Sequence, residues 1–103
     1  MKKVINGKLY NTETALKIEE YWNGYGYSDF NFCIEALYKT PKGKYFLYGK
    51  GGAASKYAEQ SGRYLDSGSG IIEFSRMEAM QWLTNYNFNE TIEKEFPDMI
   101  EEA

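Results

Sequence analysis

Phe32-Cys33-Ile34-Glu35-Ala36-Leu37-Tyr38-Lys39-Thr40-Pro41-Lys42-Gly43-Lys44-Tyr45-Phe46-Leu47-Tyr48 is the stretch that decides the fold. At the strand period of two, Phe32, Ile34, Ala36 and Tyr38 fall on one face and Cys33, Glu35, Leu37 and Lys39 on the other. Thr40-Pro41-Lys42-Gly43 reads as a turn, because proline presets φ and glycine accepts the left-handed position. Residues 44–48 form the return strand. The prediction is an antiparallel hairpin with an aromatic ladder, Tyr38 packing across on Tyr45 or Tyr48.

On the N-terminal side, Asn6-Gly7 sits between Val4-Ile5 and Leu9-Tyr10. Asn-Gly between short apolar pairs signals a hairpin, since both central residues of a type I′ turn need positive φ. The next segment predicts an N-terminal helix. Asn11 or Thr12 caps it, Glu13 lies in its first turn, and Ala15, Ile18 and Trp22 recur at i, i+3 and i+7 beside Tyr21. Lys17, Glu19 and Glu20 occupy its other face, and Asn23-Gly24 and Gly26 stop it. Residues 25–31 are a Tyr/Gly/Ser/Asp/Asn connection whose composition suits an adaptable contact loop.

On the C-terminal side, Gly49-Lys50-Gly51-Gly52 breaks the strand pattern. It lacks both the P-loop and the Gly-x-Gly-x-x-Gly spacing, so it reads as a tight bend into a short helical turn at 55–60, capped by Ser55. Residues 61–70, rich in Gly and Ser, read as exposed loop. Ile71-Ile72-Glu73-Phe74 is the last strand. Ser75-Arg76-Met77-Glu78 matches a capping box opening a helix to about Asn85, with an apolar stripe of Ala79, Leu83 and Tyr86 broadened by Met80 and Trp82. Asn89 caps one more short helix carrying Ile92 and Phe96, and Pro97 ends it. The expectation is a single α+β domain over 1–103: a three- to four-stranded antiparallel sheet with an N-terminal helix and a C-terminal helical segment packed on one side, and an acidic tail that frays from about 97.

A chain of 103 residues and 11.9 kDa folds to a surface of roughly 6,000 Å² from roughly 17,000 Å² extended, enough burial for one core without disulfides or metal. It has no histidine and one cysteine, Cys33. That excludes Ser-His and Cys-His nucleophilic pairs, His-ligated zinc, Cys₂ or Cys₄ metal sets and an intrachain disulfide. No cofactor or metal is expected, and Cys33 reads as a small core residue. Met1-Lys2-Lys3 is followed by Asn6-Gly7-Lys8 rather than an apolar run, and no stretch is long enough to span a membrane, so the expected location is the cytoplasm. The net charge of −3 is uneven: residues 1–52 sum to +3 and residues 53–103 to −6. The acidic balance argues against direct nucleic-acid binding, which draws on Lys and Arg to neutralise phosphates. It suits instead an acidic surface facing a basic groove.

No catalytic set emerges. Asp29, Glu35, Asp66 and Glu73 have no local spacing that pairs two of them for acid–base work, and the Asn89-Glu90-Thr91 sequon is not expected to meet glycosylation machinery. Lys42-Gly43-Lys44-Tyr45-Phe46-Leu47-Tyr48 partly resembles an RNA-recognition strand, but Lys44 replaces its first aromatic. Ten tyrosines remain, a residue type that contacts partners at low entropic cost. The reading is a non-enzymatic binder. Its expected partner surface comprises Tyr25, Tyr27, Asp29, Tyr64 and Asp66, with Glu90, Glu93, Glu95 and Asp98 standing in for phosphates. The alternative is a small nucleic-acid-binding regulator using Lys39, Lys42, Lys44, Tyr45 and Lys50 around the aromatic hairpin.

Three stretches together resemble a group of short proteins encoded on bacterial mobile elements. They are Lys3-Val4-Ile5-Asn6-Gly7-Lys8-Leu9-Tyr10-Asn11-Thr12-Glu13-Thr14-Ala15; then Tyr45-Phe46-Leu47-Tyr48-Gly49-Lys50-Gly51-Gly52 with Ser55-Lys56-Tyr57-Ala58-Glu59; then Ile71-Ile72 with Glu78-Ala79 and Trp82. The likeness is of sequence texture and carries over no individual functional residue. It implies an anti-CRISPR or other anti-defence inhibitor, whose partner is a host CRISPR-Cas or other defence effector blocked at its nucleic-acid surface.

Overall fold

The computed structural model describes residues 1–103. The chain opens with a hairpin of β1 (Lys2–Ile5) and β2 (Lys8–Asn11). Asn6 and Gly7 at its turn have φ of 51° and 77°, as a type I′ turn requires. A four-stranded antiparallel sheet follows, built from β3 (Leu16–Trp22), β4 (Cys33–Lys39), β5 (Tyr45–Gly51) and β8 (Gly68–Phe74), in the order β3-β4-β5-β8. Between β5 and β8 the small hairpin of β6 (Glu59–Ser61) and β7 (Tyr64–Asp66) occupies much of the segment read as loop. The chain ends in α1 (Arg76–Asn85), α2 (Asn89–Glu95) and a 3-10 turn at Pro97–Met99.

The central hairpin has the expected faces, but its return strand runs on through Gly51, with Gly49, Lys50 and Gly51 paired to β4 where a break was expected, and its aromatic partners differ. Tyr38 lies opposite Phe46, their rings stacked at 5.2 Å, whereas Tyr45 pairs with Lys39 and points to the other face. The two faces bury separate clusters. On one, Leu37, Tyr45 and Leu47 meet Ala79, Trp82 and Leu83 of α1, Ile92 of α2, and Phe96. On the other, Ala36, Tyr38, Phe46 and Ile71 are covered by Tyr10 of β2. The capping box that opens α1 is present in both directions, Ser75 with the Glu78 amide and Glu78 with the Ser75 amide.

There is no N-terminal helix: residues 16–22 are β3. The expected capping residue does cap, but it caps a turn, with Asn11 Oδ1 accepting from the Glu13 amide at 3.0 Å. The helical spacing comes from a β-bulge. The register against β4 slips between Lys17 and Glu19, leaving Ile18 as the extra residue. Ile18 and Tyr21 therefore both pack toward α1 and α2 although three residues apart. The other members of the supposed stripe separate: Ala15 packs with the Tyr10 cluster and Trp22 is exposed. The short helix at 55–60 is also absent, and residues 52–58 form turns in which Ser55 Oγ accepts from the Tyr57 amide.

Those turns lie on a floor of glycine. Gly49 on β5 and Gly68 on β8 have no side chain to hold the 52–58 segment away from the sheet. A Cβ at Gly49 would sit 1.9 Å from the Tyr57 ring, and one at Gly68 2.2 Å from the Tyr57 carbonyl oxygen. The accessible surface, 7,015 Å², exceeds the roughly 6,000 Å² expected for this mass, because the molecule is flat, 49 × 33 × 19 Å. Gly49→Ala is expected to destabilise the fold by about 1–3 kcal/mol by displacing the Tyr57 ring. Gly70→Ala, opposite Gly49 in the register but with nothing near its would-be Cβ, is expected to be tolerated. Urea denaturation of both variants checks the contrast.

Candidate nucleic-acid interface

Two turns at one end of the sheet bring lysines together. The type I′ turn delivers Lys8 immediately after Gly7, and the β4–β5 turn presents Lys42 and Lys44. Thr40 closes that turn, its Oγ1 accepting from the Lys44 amide at 3.0 Å and its carbonyl from the Gly43 amide at 2.9 Å; Gly43 takes φ of 83°. Between the turns lies a groove of about 460 Å³ lined by Gly7, Lys8, Leu9, Tyr10, Thr40, Pro41, Lys42 and Lys44. All three charged residues in that lining are lysines, so an anion entering it meets positive potential and relieves the mutual repulsion of the three ammonium groups.

The groove wall is held by Tyr10, which is buried. Its hydroxyl donates to the Glu73 carboxylate on β8, and its ring meets Phe46 edge-on at 5.4 Å. Burial, helped by the Glu73 hydrogen bond and charge, pushes the phenol up to about 12, so Tyr10 remains a donor at any physiological pH. The hairpin thus docks through one buried aromatic side chain whose polar tip is satisfied.

The residues read from sequence as a nucleic-acid surface divide. Lys42 and Lys44 line the groove. Lys39 instead pairs with Glu95 of α2 at 3.2 Å, and Tyr45 is buried on the helix face, donating to the same carboxylate at 2.9 Å. The Glu95 hydrogen bond raises the Lys39 pKa, and burial, then Glu95, raises that of Tyr45. Lys50 stands on β5, six residues after Lys44, its Nζ donating to the Tyr27 hydroxyl at 2.8 Å. Lys8, which the sequence reading did not single out, takes its place in the groove. The signal was its position, directly after an Asn-Gly turn beside Leu9 and Tyr10.

The acidic set divides too. Glu90 and Glu93 are exposed on α2. Glu95 is engaged with Lys39 and Tyr45, and Asp98 is held by Arg76 in two hydrogen bonds of 3.0 and 2.7 Å. That pairing lowers the Asp98 carboxyl and raises the Arg76 guanidinium. Tyr64 and Asp66 lie exposed on the β6–β7 hairpin. Tyr25, Tyr27 and Asp29 lie on the loop between β3 and β4, where the Asp29 carboxylate accepts from the Asn31 amide at 2.7 Å.

Glu35 holds the densest polar cluster. It is 1% exposed, on the helix face of β4. Its carboxylate accepts from the hydroxyl of Tyr57, from Trp82 Nε1 at 3.1 Å and from the Tyr86 hydroxyl at 3.5 Å, and forms an ion pair with Lys56 at 2.6 Å. The donors come from α1, from the residue that follows it and from the 52–58 turns, so the cluster fastens three segments together. It is shielded from solvent and fully partnered, and its chemistry is that of a satisfied buried acceptor rather than a reacting group. Burial alone raises the Glu35 pKa, but the hydrogen bonds from Lys56, Tyr57 and Trp82 and the Lys56 charge outweigh it, and the net shift is downward. The neighbouring Cys33 thiol is raised, by burial first and then by the Glu35 charge.

A carboxyl whose folded pKa lies below its unfolded value contributes stability above the unfolded value, about 4.3 for Glu, and loses it as pH falls through the folded value. Stability is therefore expected to hold from neutrality down to about pH 5 and to fall in more acid solution. Glu35→Gln should lower stability at neutral pH and flatten that acid limb, as chemical denaturation across pH would register.

No family model matches the chain, and neither the curated proteins nor the solved structures supply a match, so a functional reading rests on the chemistry of these surfaces.

Proposed function

We propose that this protein is a small, non-enzymatic nucleic-acid-binding regulator that grips phosphates with the lysine groove between its two turns. The observation that carries this reading is the convergence of Lys8, Lys42 and Lys44 on one cleft whose lining contains no acid. The net charge of −3 is compatible with it, because affinity for a polyanion follows local charge at the contact. None of the fifteen acids lines that cleft, and Glu95, Asp98 and Glu35 lie in ion pairs with Lys39, Arg76 and Lys56.

The inhibitor reading, in which Glu90, Glu93, Glu95 and Asp98 mimic phosphates against a host defence effector, has less support. Two of its four carboxylates already have cationic partners within the chain. Glu90 and Glu93 on α2 are what it retains.

Fluorescence anisotropy with labelled DNA and RNA tests the proposal. Binding should weaken steeply with salt, and Lys42→Ala, Lys44→Ala and Lys8→Ala should each weaken it uniformly across sequences and reduce the magnitude of the log–log salt slope by about 1. Salt-independent behaviour, or triple-alanine binding equal to the parent, would refute it.

A further inference from the structure

The β1–β2 hairpin covers only part of its face of the sheet. It lies over the row that contains Tyr38, Phe46 and Glu73, where Tyr10 packs. Toward the other end of the strands, the register sets Glu20, Ala36, Tyr48 and Ile71 in one row and Trp22, Ile34, Lys50 and Ser69 in the next. Tyr48, Ile34 and Lys50 there are only half-buried and Trp22 is 56% exposed. Tyr27, 73% exposed, leans over this end from the β3–β4 loop. Its hydroxyl accepts from Lys50, whose ammonium also lies 4.7 Å from the ring centroid. A shallow site of about 380 Å³ opens between Tyr27, Tyr48, Lys50 and Ser69.

The aromatic groups are fixed before any ligand arrives. Trp22 Nε1 donates to the Tyr25 carbonyl at 2.7 Å, and the Tyr27 ring lies 4.9 Å from that of Phe32. The loop that carries Tyr27 is fastened at both ends. Asn23 donates to the Asn31 carbonyl at 2.7 Å and accepts from the Cys33 amide at 3.1 Å, while the Phe30 and Phe32 carbonyls accept from the Ala54 and Gly52 amides. Exposed aromatic rings held in place lose little entropy on contact. The acid in these two rows is Glu20, which forms an ion pair with Lys17 at 3.2 Å.

From this we infer that the uncovered half of the sheet face is a stacking platform for single-stranded nucleic acid, with Trp22 and Tyr27 each receiving the face of a base and Lys50 taking the backbone phosphate. Flat rings beside a cation are the combination that binds unpaired bases without regard to sequence, because every base offers a π-face. A duplex keeps its base faces stacked inside and cannot use such a platform. The lysine groove and the platform occupy the same face of the sheet, since Phe46, Tyr48 and Lys50 alternate along β5 and Phe46 and Tyr48 pack with Tyr10 of the groove wall; Lys44, just before the strand, lies about 20 Å from Lys50 at the strand rise. The inference rests on the nucleic-acid reading above and narrows it to single strands.

The test compares a labelled 12-nucleotide oligothymidylate with a 12-base-pair duplex on the full chain at low salt. The single strand should bind tighter and quench the emission of exposed Trp22. Trp22→Ala and Tyr27→Ala should each weaken single-strand binding about fivefold or more and leave duplex binding unchanged, while Trp22→Phe should retain most of the affinity. The buried Trp82 reports that the Trp22 variants remain folded. Wild-type affinity of both alanine variants for the single strand, or equal losses on both ligands, would overturn the platform while lysine-dependent duplex binding left the groove standing. Failure to bind either ligand would overturn both.

Discussion

A single carboxylate organises the helix side of this protein. Glu35 lies at the centre of β4, shielded from solvent, and accepts hydrogen bonds from Tyr57, Trp82 and Tyr86 while Lys56 supplies the countercharge. An unpartnered carboxylate in that position would carry a large desolvation penalty. Its partners are separated from it by about twenty to fifty residues of chain. Satisfying the charge therefore demands that α1 dock with Trp82 inward and that the 52–58 turns lie flat on the sheet. The apolar contacts of Leu37, Leu47, Ala79 and Leu83 supply the bulk of the driving force, and Glu35 selects which packing satisfies it.

The glycines make that arrangement sterically possible. Tyr57 reaches Glu35 by lying across Gly49, a position that no side chain could share. In the register, Gly49 stands between Glu35 on β4 and Gly70 on β8. Gly49 thus serves the packing of Tyr57. It is a floor cut into the sheet so that a tyrosine can cross it.

The two faces of the sheet have consequently different tasks. One is closed by α1, α2 and the Glu35 cluster. The other is half-closed by a short hairpin whose hold depends on Tyr10 wedged against Phe46 and bonded to Glu73. The lysines gather where that hairpin meets the β4–β5 turn, and the aromatic groups lie exposed beyond its far side. A molecule with an acidic total charge can present a basic cleft in this way because two turns bring three lysines together and no acid lines the space between them.

Features written in neighbouring residues were legible from the sequence alone. The Asn6-Gly7 turn, the alternation along 32–39 and 44–48, and the Ser75–Glu78 capping box are each fixed by sterics or hydrogen bonds within a few residues, so the local sequence determines them. Residues 16–22 were not legible, because the bulge at Ile18 gives a strand the apolar spacing of a helix, and only pairing with β4 resolves the ambiguity. The site divided along the same line. Lys42 and Lys44 share a turn and could be read together. Lys8 joins them only through the docking of a separate hairpin, and Lys39 and Tyr45 leave them for Glu95, fifty or more residues away. Alternation assigned Glu35 to a face, but its partners arrive from distant parts of the chain, and only the folded packing could bring them to it.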